Sequence, residues 1–189
     1  MPNGPAPNDP GNSARPPSRL RFAVPSARAA LVGAILWGLA MTLSAQLALW
    51  IAIRLDTWHL LALSLLFFAG GAIAWPLALF AIRFCSYRRN PEVWFAASVL
   101  FLSCGTIAVT AALFALQYRI YYAQWHGGFL TKLWIIQFVY TTAAAVYQFA
   151  VMGVRLYLPL GAVILFGTAL MIARRSAGKP AERAAIFPT

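Results

Sequence analysis

Between Arg28 and Arg174 the chain carries two acidic residues, Asp56 and Glu92, and each falls in a gap between long apolar runs. No carboxylate lies inside a run. Segments this apolar are solvated by lipid, and only helices or closed barrels satisfy their own backbone there. Runs of twenty or more residues are helix-length, not strand-length. The missing carboxylates also remove the side chains on which proton pumps and antiporters depend.

Composition agrees. The hydrophobic fraction is 61% and the charged fraction 10%, with a mean hydropathy of +0.72. Soluble domains carry roughly 45–50% apolar and about 25% charged residues. A net charge of +11 would suggest nucleic acid in a soluble protein. Here the basic residues gather at the ends of apolar runs, so the expected partner is the bilayer and its anionic lipids, not nucleic acid.

Residues 1–26 are rich in Pro, Asn, Gly, Ser and Arg and read as a disordered basic tail. The apolar run that follows is too long for the core of a cleavable signal peptide and is expected to stay as an anchor. The bundle is expected over 27–175, with a short tail at 176–189. The first span runs from about Ala29 to Ile53, the second from Leu60 to Ile82 with Pro76 inside it, and the third from Val93 to Gln117. A basic turn containing Arg83, Arg88 and Arg89 joins the second to the third.

The stretch from Leu130 to Ala173 allows two arrangements. Leu133–Met152 and Leu156–Ala173 both cross, or only the later one does and the earlier is interfacial or re-entrant. Charge asymmetry favours the second. With four crossings and the N-terminus inside, eleven Lys and Arg residues lie inside and four outside. A fifth crossing makes the split eight to seven. Orientation follows the Lys/Arg excess. The reading is an all-α integral membrane protein with four transmembrane helices plus one interfacial or re-entrant hydrophobic helix, the alternative being five transmembrane helices. Both termini are expected in the cytoplasm. The Ala-, Arg- and Pro-rich composition suits a bacterial inner membrane.

Lys132, Gln137, Tyr140, Thr141, Ala144 and Gln148 fall on one broad helical face, with Leu133, Trp134, Phe138, Val146, Phe149 and Ala150 towards the other. Such a helix lies in an interface or lines a polar seam. Arg155 stands alone among apolar residues, four positions before Pro159. An intramembrane cation costs at least ~2.5–3.5 kcal/mol at the bilayer centre. It must snorkel, meet a headgroup, or meet a partner. Pro159 cannot donate to the Arg155 carbonyl, so an unsatisfied acceptor is expected there. Arg155, Gln148, Gln137 and Lys132 are the candidate contact residues.

His59 and His126 each follow a tryptophan. Two imidazoles suit haem or metal ligation. The favoured reading is an aromatic interfacial belt with Tyr118, Tyr121, Tyr122 and Trp125, because amphipathic rings concentrate at headgroup level. No cofactor is expected. Cys85 and Cys104 are expected as unpaired thiols. Ala30, Ala34, Gly38 and Thr42, and then Gly70, Ala74 and Ala78, recur at four-residue spacing and suit close helix packing, with Gln46 placed for an interhelical hydrogen bond. No HExxH, GxSxG, P-loop or carboxylate pair is present. The expectation is a non-catalytic accessory or interaction subunit, bound to other membrane subunits or to itself. The alternatives are a small transporter or channel for a neutral or anionic solute, and a haem- or quinone-associated anchor.

Overall fold

Three helices begin where a hydroxyl side chain accepts from a free N–H group of the first turn. The Ser18 hydroxyl accepts from Arg21 N–H, Ser26 from Ala29 N–H, and Thr131 from Trp134 N–H at 3.2 Å. Asn90-Pro91-Glu92 opens another start with proline at the first position and a carboxylate in the first turn. A computed structural model describes residues 18–52, 59–123, 127–128, 130–158 and 160–177. Its helices are α1 (Arg19–Ala23), α2 (Ala27–Ile51), α3 (Leu60–Cys85), α4 (Pro91–Tyr122), α5 (Lys132–Gln148) and α6 (Leu160–Ala177). A π turn (Phe149–Gly153) and a 3₁₀ turn (Val154–Tyr157) carry α5 on towards α6.

The described residues are helical and contain no strand. Among the described residues five stretches are long and apolar enough to cross a membrane: Ala27–Ile51, Leu60–Cys85, Pro91–Tyr122, Lys132–Tyr157 and Leu160–Ala177. The all-α membrane class expected from the sequence is the class observed. α3 continues through Pro76. α4 is longer than expected, at 32 residues, or about 48 Å. That exceeds the ~30 Å hydrocarbon layer and carries Tyr118, Tyr121 and Tyr122 past the third apolar run.

The small-residue stripes are used within the chain. Gly38 meets Gly71 where α2 crosses α3, and a methyl group on Gly71 would stand 3.0 Å from the Gly38 Cα. Thr42 and Gln46 of α2 both reach Ser64 of α3, the first at its carbonyl and the second at its hydroxyl. Gly70 and Ala78 turn to α4, against Thr110 and Gly105. Such stripes let backbones approach and let short polar groups bond across helices.

Within the segment expected as a tail, Arg19–Ala23 form a helix, and residues 1–17 lie outside the described residues. α1 packs on the last turns of α3: Arg19 Nε donates to the Phe84 carbonyl at 2.8 Å, and Arg83 Nη1 to the Val24 carbonyl at 3.1 Å. Phe22 meets Tyr87 and Trp94 at ring centroid distances of 5.2 and 6.3 Å. Leu20 and Phe22 supply apolar surface that the composition of the whole segment conceals.

α5 starts beside the far end of α4, where Arg119 lies over the rings of Phe138 and Trp134 at 4.2 and 5.3 Å. The 3₁₀ turn that follows α5 reaches Thr110 through Tyr157. α6 then brings Phe166 onto Phe95, 6.4 Å away, near the start of α4. α6 therefore proceeds from the middle of α4 towards the end that packs on α1.

Candidate functional site

The distinctive part of the molecule is the break between α5 and α6, and buried hydroxyls hold it. A polar atom inside an apolar bundle must find a partner or cost roughly 1–3 kcal/mol. Thr106, Thr110 and Ser44 are all buried, and all have partners. The Trp37 indole N–H donates to Thr106 Oγ1 at 2.9 Å, and the Thr110 hydroxyl donates to the Thr106 carbonyl at 2.8 Å. The Tyr157 hydroxyl donates to Thr110 Oγ1 at 2.7 Å. Gly70 makes room for this group: a Cβ there would sit 2.0 Å from Thr110 Oγ1.

Ser44 clasps the break itself. Its hydroxyl lies 3.1 Å from the Tyr157 carbonyl and 3.3 Å from that of Leu156, and it accepts from Gly161 N–H at 2.9 Å. The last carbonyls of one helical segment and a first-turn N–H of the next thus share one side chain of α2. Broken helices are tolerated in a bilayer only where neighbouring groups re-satisfy the freed backbone.

The break begins as a change of pitch. Ala145, Phe149, Gly153 and Tyr157 are buried, and Gln137 and Thr141 ahead of them are half-buried. These residues recur at every fourth position. Four residues turn an α-helix about 400°, so such a stripe drifts about 40° per step away from its neighbour. A π turn holds more residues per turn and removes drift. It falls at Phe149–Gly153, the middle of the stripe.

The expected polar face therefore divides. Gln137 and Thr141 turn towards the bundle, while Tyr140, Ala144 and Gln148 are exposed. Phe149, expected on the opposite side, is buried and packs on Phe67 and Phe114. Gln137 Oε1 accepts from Gly127 N–H at 3.0 Å and so anchors the loop ahead of α5. Lys132 is exposed at the start of α5.

Arg155 lies in the 3₁₀ turn, exposed, with exposed Val151, Met152 and Leu158 nearby in sequence. Its carbonyl, expected from Pro159 to be an unsatisfied acceptor, has a partner. It accepts from Leu158 N–H at 3.1 Å, because the tighter turn replaces the bond that proline cannot give. Pro159 itself lies outside the described residues. Among the described residues the Arg155 guanidinium has no hydrogen-bond or ion-pair partner. The four contact candidates are not brought together: Gln137 and Arg155 are eighteen positions apart, about 27 Å of helix.

His59 is exposed just before α3, and its side chain does not cap that helix. His126 and Trp125 lie outside the described residues. Among the described residues no group of three or more His, Cys, Asp or Glu side chains could hold a metal. Tyr118, Tyr121 and Tyr122 do cluster, with Tyr122 4.5 Å from Tyr118 and 5.1 Å from Tyr121. Cys85 and Cys104 are both free and exposed.

Ser44, Thr106, Thr110 and Tyr157 escaped the sequence reading. Their only signal was a hydroxyl inside each apolar run. The four-residue spacing from Gln137 to Tyr157 was legible and went unused. No family model matches the chain, and comparison with curated proteins and with solved structures finds no match.

Proposed function

We propose that this chain is a non-catalytic accessory subunit of a larger membrane complex. Its docking residue is Arg155, and its partner is a membrane helix that presents a carboxylate. The observation that carries this reading is an exposed guanidinium without a partner among the described residues, two positions before Tyr157, whose carbonyl meets Ser44 and whose hydroxyl meets Thr110. A cation left there against lipid is costly. A carboxylate from another chain would complete two hydrogen bonds to its planar fork. The segment around it is the least covered of the five long helices. Only 11% of its most apolar window is buried, against 39% for α3. Leu133, Ile136, Tyr140, Tyr147, Val151 and Met152 are exposed along it, which suits a second apolar surface.

The accompanying topology is four crossings with both termini in the cytoplasm. The order of contacts supports it. From Phe138 to Tyr157 the chain covers about 28 Å of helix, while Arg119 and Thr110, the residues they touch on α4, are about 13 Å apart. An inclined α5 accommodates that difference. Phe166 on Phe95 then returns α6 to the α1 end of the bundle, where eleven basic residues would gather.

Co-purification from native membranes in mild detergent tests the function. A defined partner with a carboxylate in a membrane helix should be retained by the wild type, lost with Arg155→Leu and weakened with Arg155→Lys. Full retention by the lysine variant would reduce Arg155 to a topological anchor. Solute flux by the purified chain in liposomes would replace this reading with a transporter, and a Soret band with a haem anchor.

A further inference from the structure

The other concentration of charge lies where α1 meets the turn between α3 and α4. Three guanidiniums there are held on aromatic faces. The Arg83 Cζ stands 5.1 Å from the centre of the Phe22 ring, and the Arg88 Cζ stands 5.6 Å from that of Tyr87. Phe22 and Tyr87 are themselves 5.2 Å apart. The Arg19 Cζ stands 4.3 Å over Phe84, next to Arg83 in the chain. One small surface therefore carries all three.

Stacking restrains each guanidinium without using the N–H donors on its edge. Arg19 gives one donor to the Phe84 carbonyl and Arg83 one to Val24, which leaves most of their five N–H groups for a ligand. Arg88 also adopts a left-handed backbone, with φ at 57°. That conformation costs a non-glycine residue roughly 1–2 kcal/mol, and residues held so are concentrated at binding sites. Glu92, the one acidic residue among the described residues, is exposed in the first turn of α4 and cannot balance Arg19, Arg21, Arg83 and Arg88.

Two apolar side chains fix the kind of ligand. Leu20 of α1 and Val24, which follows it, are 63% and 60% exposed beside these arginines. A short segment whose bare aliphatic residues share one face, flanked by basic residues, suits the boundary between headgroups and acyl chains. A soluble anion would leave Leu20 and Val24 in water. We propose that the junction of α1 with the α3–α4 turn is a binding site for the phosphate of an anionic phospholipid, held by Arg19, Arg83 and Arg88.

The test uses the full chain in phosphatidylcholine vesicles, with trace spin-labelled phosphatidylglycerol or phosphatidylcholine as the probe. Wild type should immobilise the glycerol lipid in preference to the choline lipid. Arg88→Gln is the informative variant, because Arg88 makes none of the hydrogen bonds that tie α1 to α3. It should lower that preference about fivefold, the effect of roughly 1 kcal/mol per arginine. Arg88→Lys should lose part of the same preference, since lysine keeps the charge without the planar stack and its edge donors. Arg174→Gln with Arg175→Gln, at the end of α6, should lose little. The proposal is overturned if Arg88→Gln or Arg88→Lys equals wild type, or if the α6 pair loses as much as Arg88→Gln. Displacement of the lipid by inorganic phosphate would also overturn it, by assigning the site to a soluble anion.

Discussion

The Ser44 hydroxyl accepts the Gly161 N–H at 2.9 Å across 117 positions of the chain. That bond joins the second helix to the first turn of the last. Ser44→Ala would leave the N–H of Gly161 and the end of the 3₁₀ turn without this partner. We expect a loss of about 1–3 kcal/mol, read as a lower thermal midpoint in detergent. Ser44→Cys, with a weaker acceptor of similar shape, should fall between the two. An alanine variant as stable as wild type would mean that water or lipid serves the break equally well.

Tyr157 and Thr110 form a second link, suited to a double-mutant cycle. Tyr157→Phe and Thr110→Val each remove one side of a buried 2.7 Å hydrogen bond. Interhelical bonds in membranes couple by about 0.6 kcal/mol on average and up to about 1.7. Full burial places this pair in the upper part of that range. Chemical unfolding of the two single variants and the double should reveal the coupling. Strict additivity would show that the bond contributes nothing beyond shape.

Two glycines should respond in opposite ways. A Cβ on Gly70 would lie 2.0 Å from Thr110 Oγ1, whereas a Cβ on Gly167 meets nothing within 4 Å. Gly70→Ala should destabilise by about 1–3 kcal/mol, because the crossing cannot open without losing contacts along its length. Gly167→Ala should be neutral or stabilising, since alanine favours the helix by roughly 1 kcal/mol. Thermal stability of the two variants in one detergent checks both.

The native thiols report topology without engineering. Cys85 ends α3 beside the basic turn, and Cys104 lies near the middle of α4. Both are exposed on the protein surface, but lipid should cover Cys104 and suppress its reactive thiolate. A membrane-impermeant maleimide should label Cys85 in inside-out vesicles and not in intact cells or right-side-out vesicles. Labelling of Cys85 from the outer face would invert the bundle.

The parts of the fold set by bulk hydropathy were legible in the sequence. α2, α3 and α4 appear where apolar runs predict helices, and Gly38 and Gln46 act at the interface their spacing suggested. α1 was hidden because five ordered residues carry little weight beside a proline-rich tail. The polar face of α5 was misassigned for a geometric reason. Its polar residues were grouped as one face, whereas the buried stripe runs through Gln137, Thr141, Ala145 and Phe149, drifting about 40° per step, and cuts across that face. Gln137 looked like a lining residue but serves Gly127, a pairing between a helix and its own loop that no periodicity can show. Arg155 stood out at once, because an isolated charge in an apolar run needs no geometry to be noticed.

The π turn at Phe149–Gly153 also sets how the chain tolerates changes in length. Removing one residue from a spanning helix ordinarily swings everything beyond it by about 100°. In this turn the chain holds one residue more than an α-helix needs to reach the next contact. Deleting exposed Ala150 would let the turn tighten to α pitch, with Phe149 and Tyr157 still facing α4. The same deletion at Ala143, inside regular helix, would turn Phe149 out towards lipid. The segment leading to Arg155 thus has one place where its register can be reset without unfastening either end.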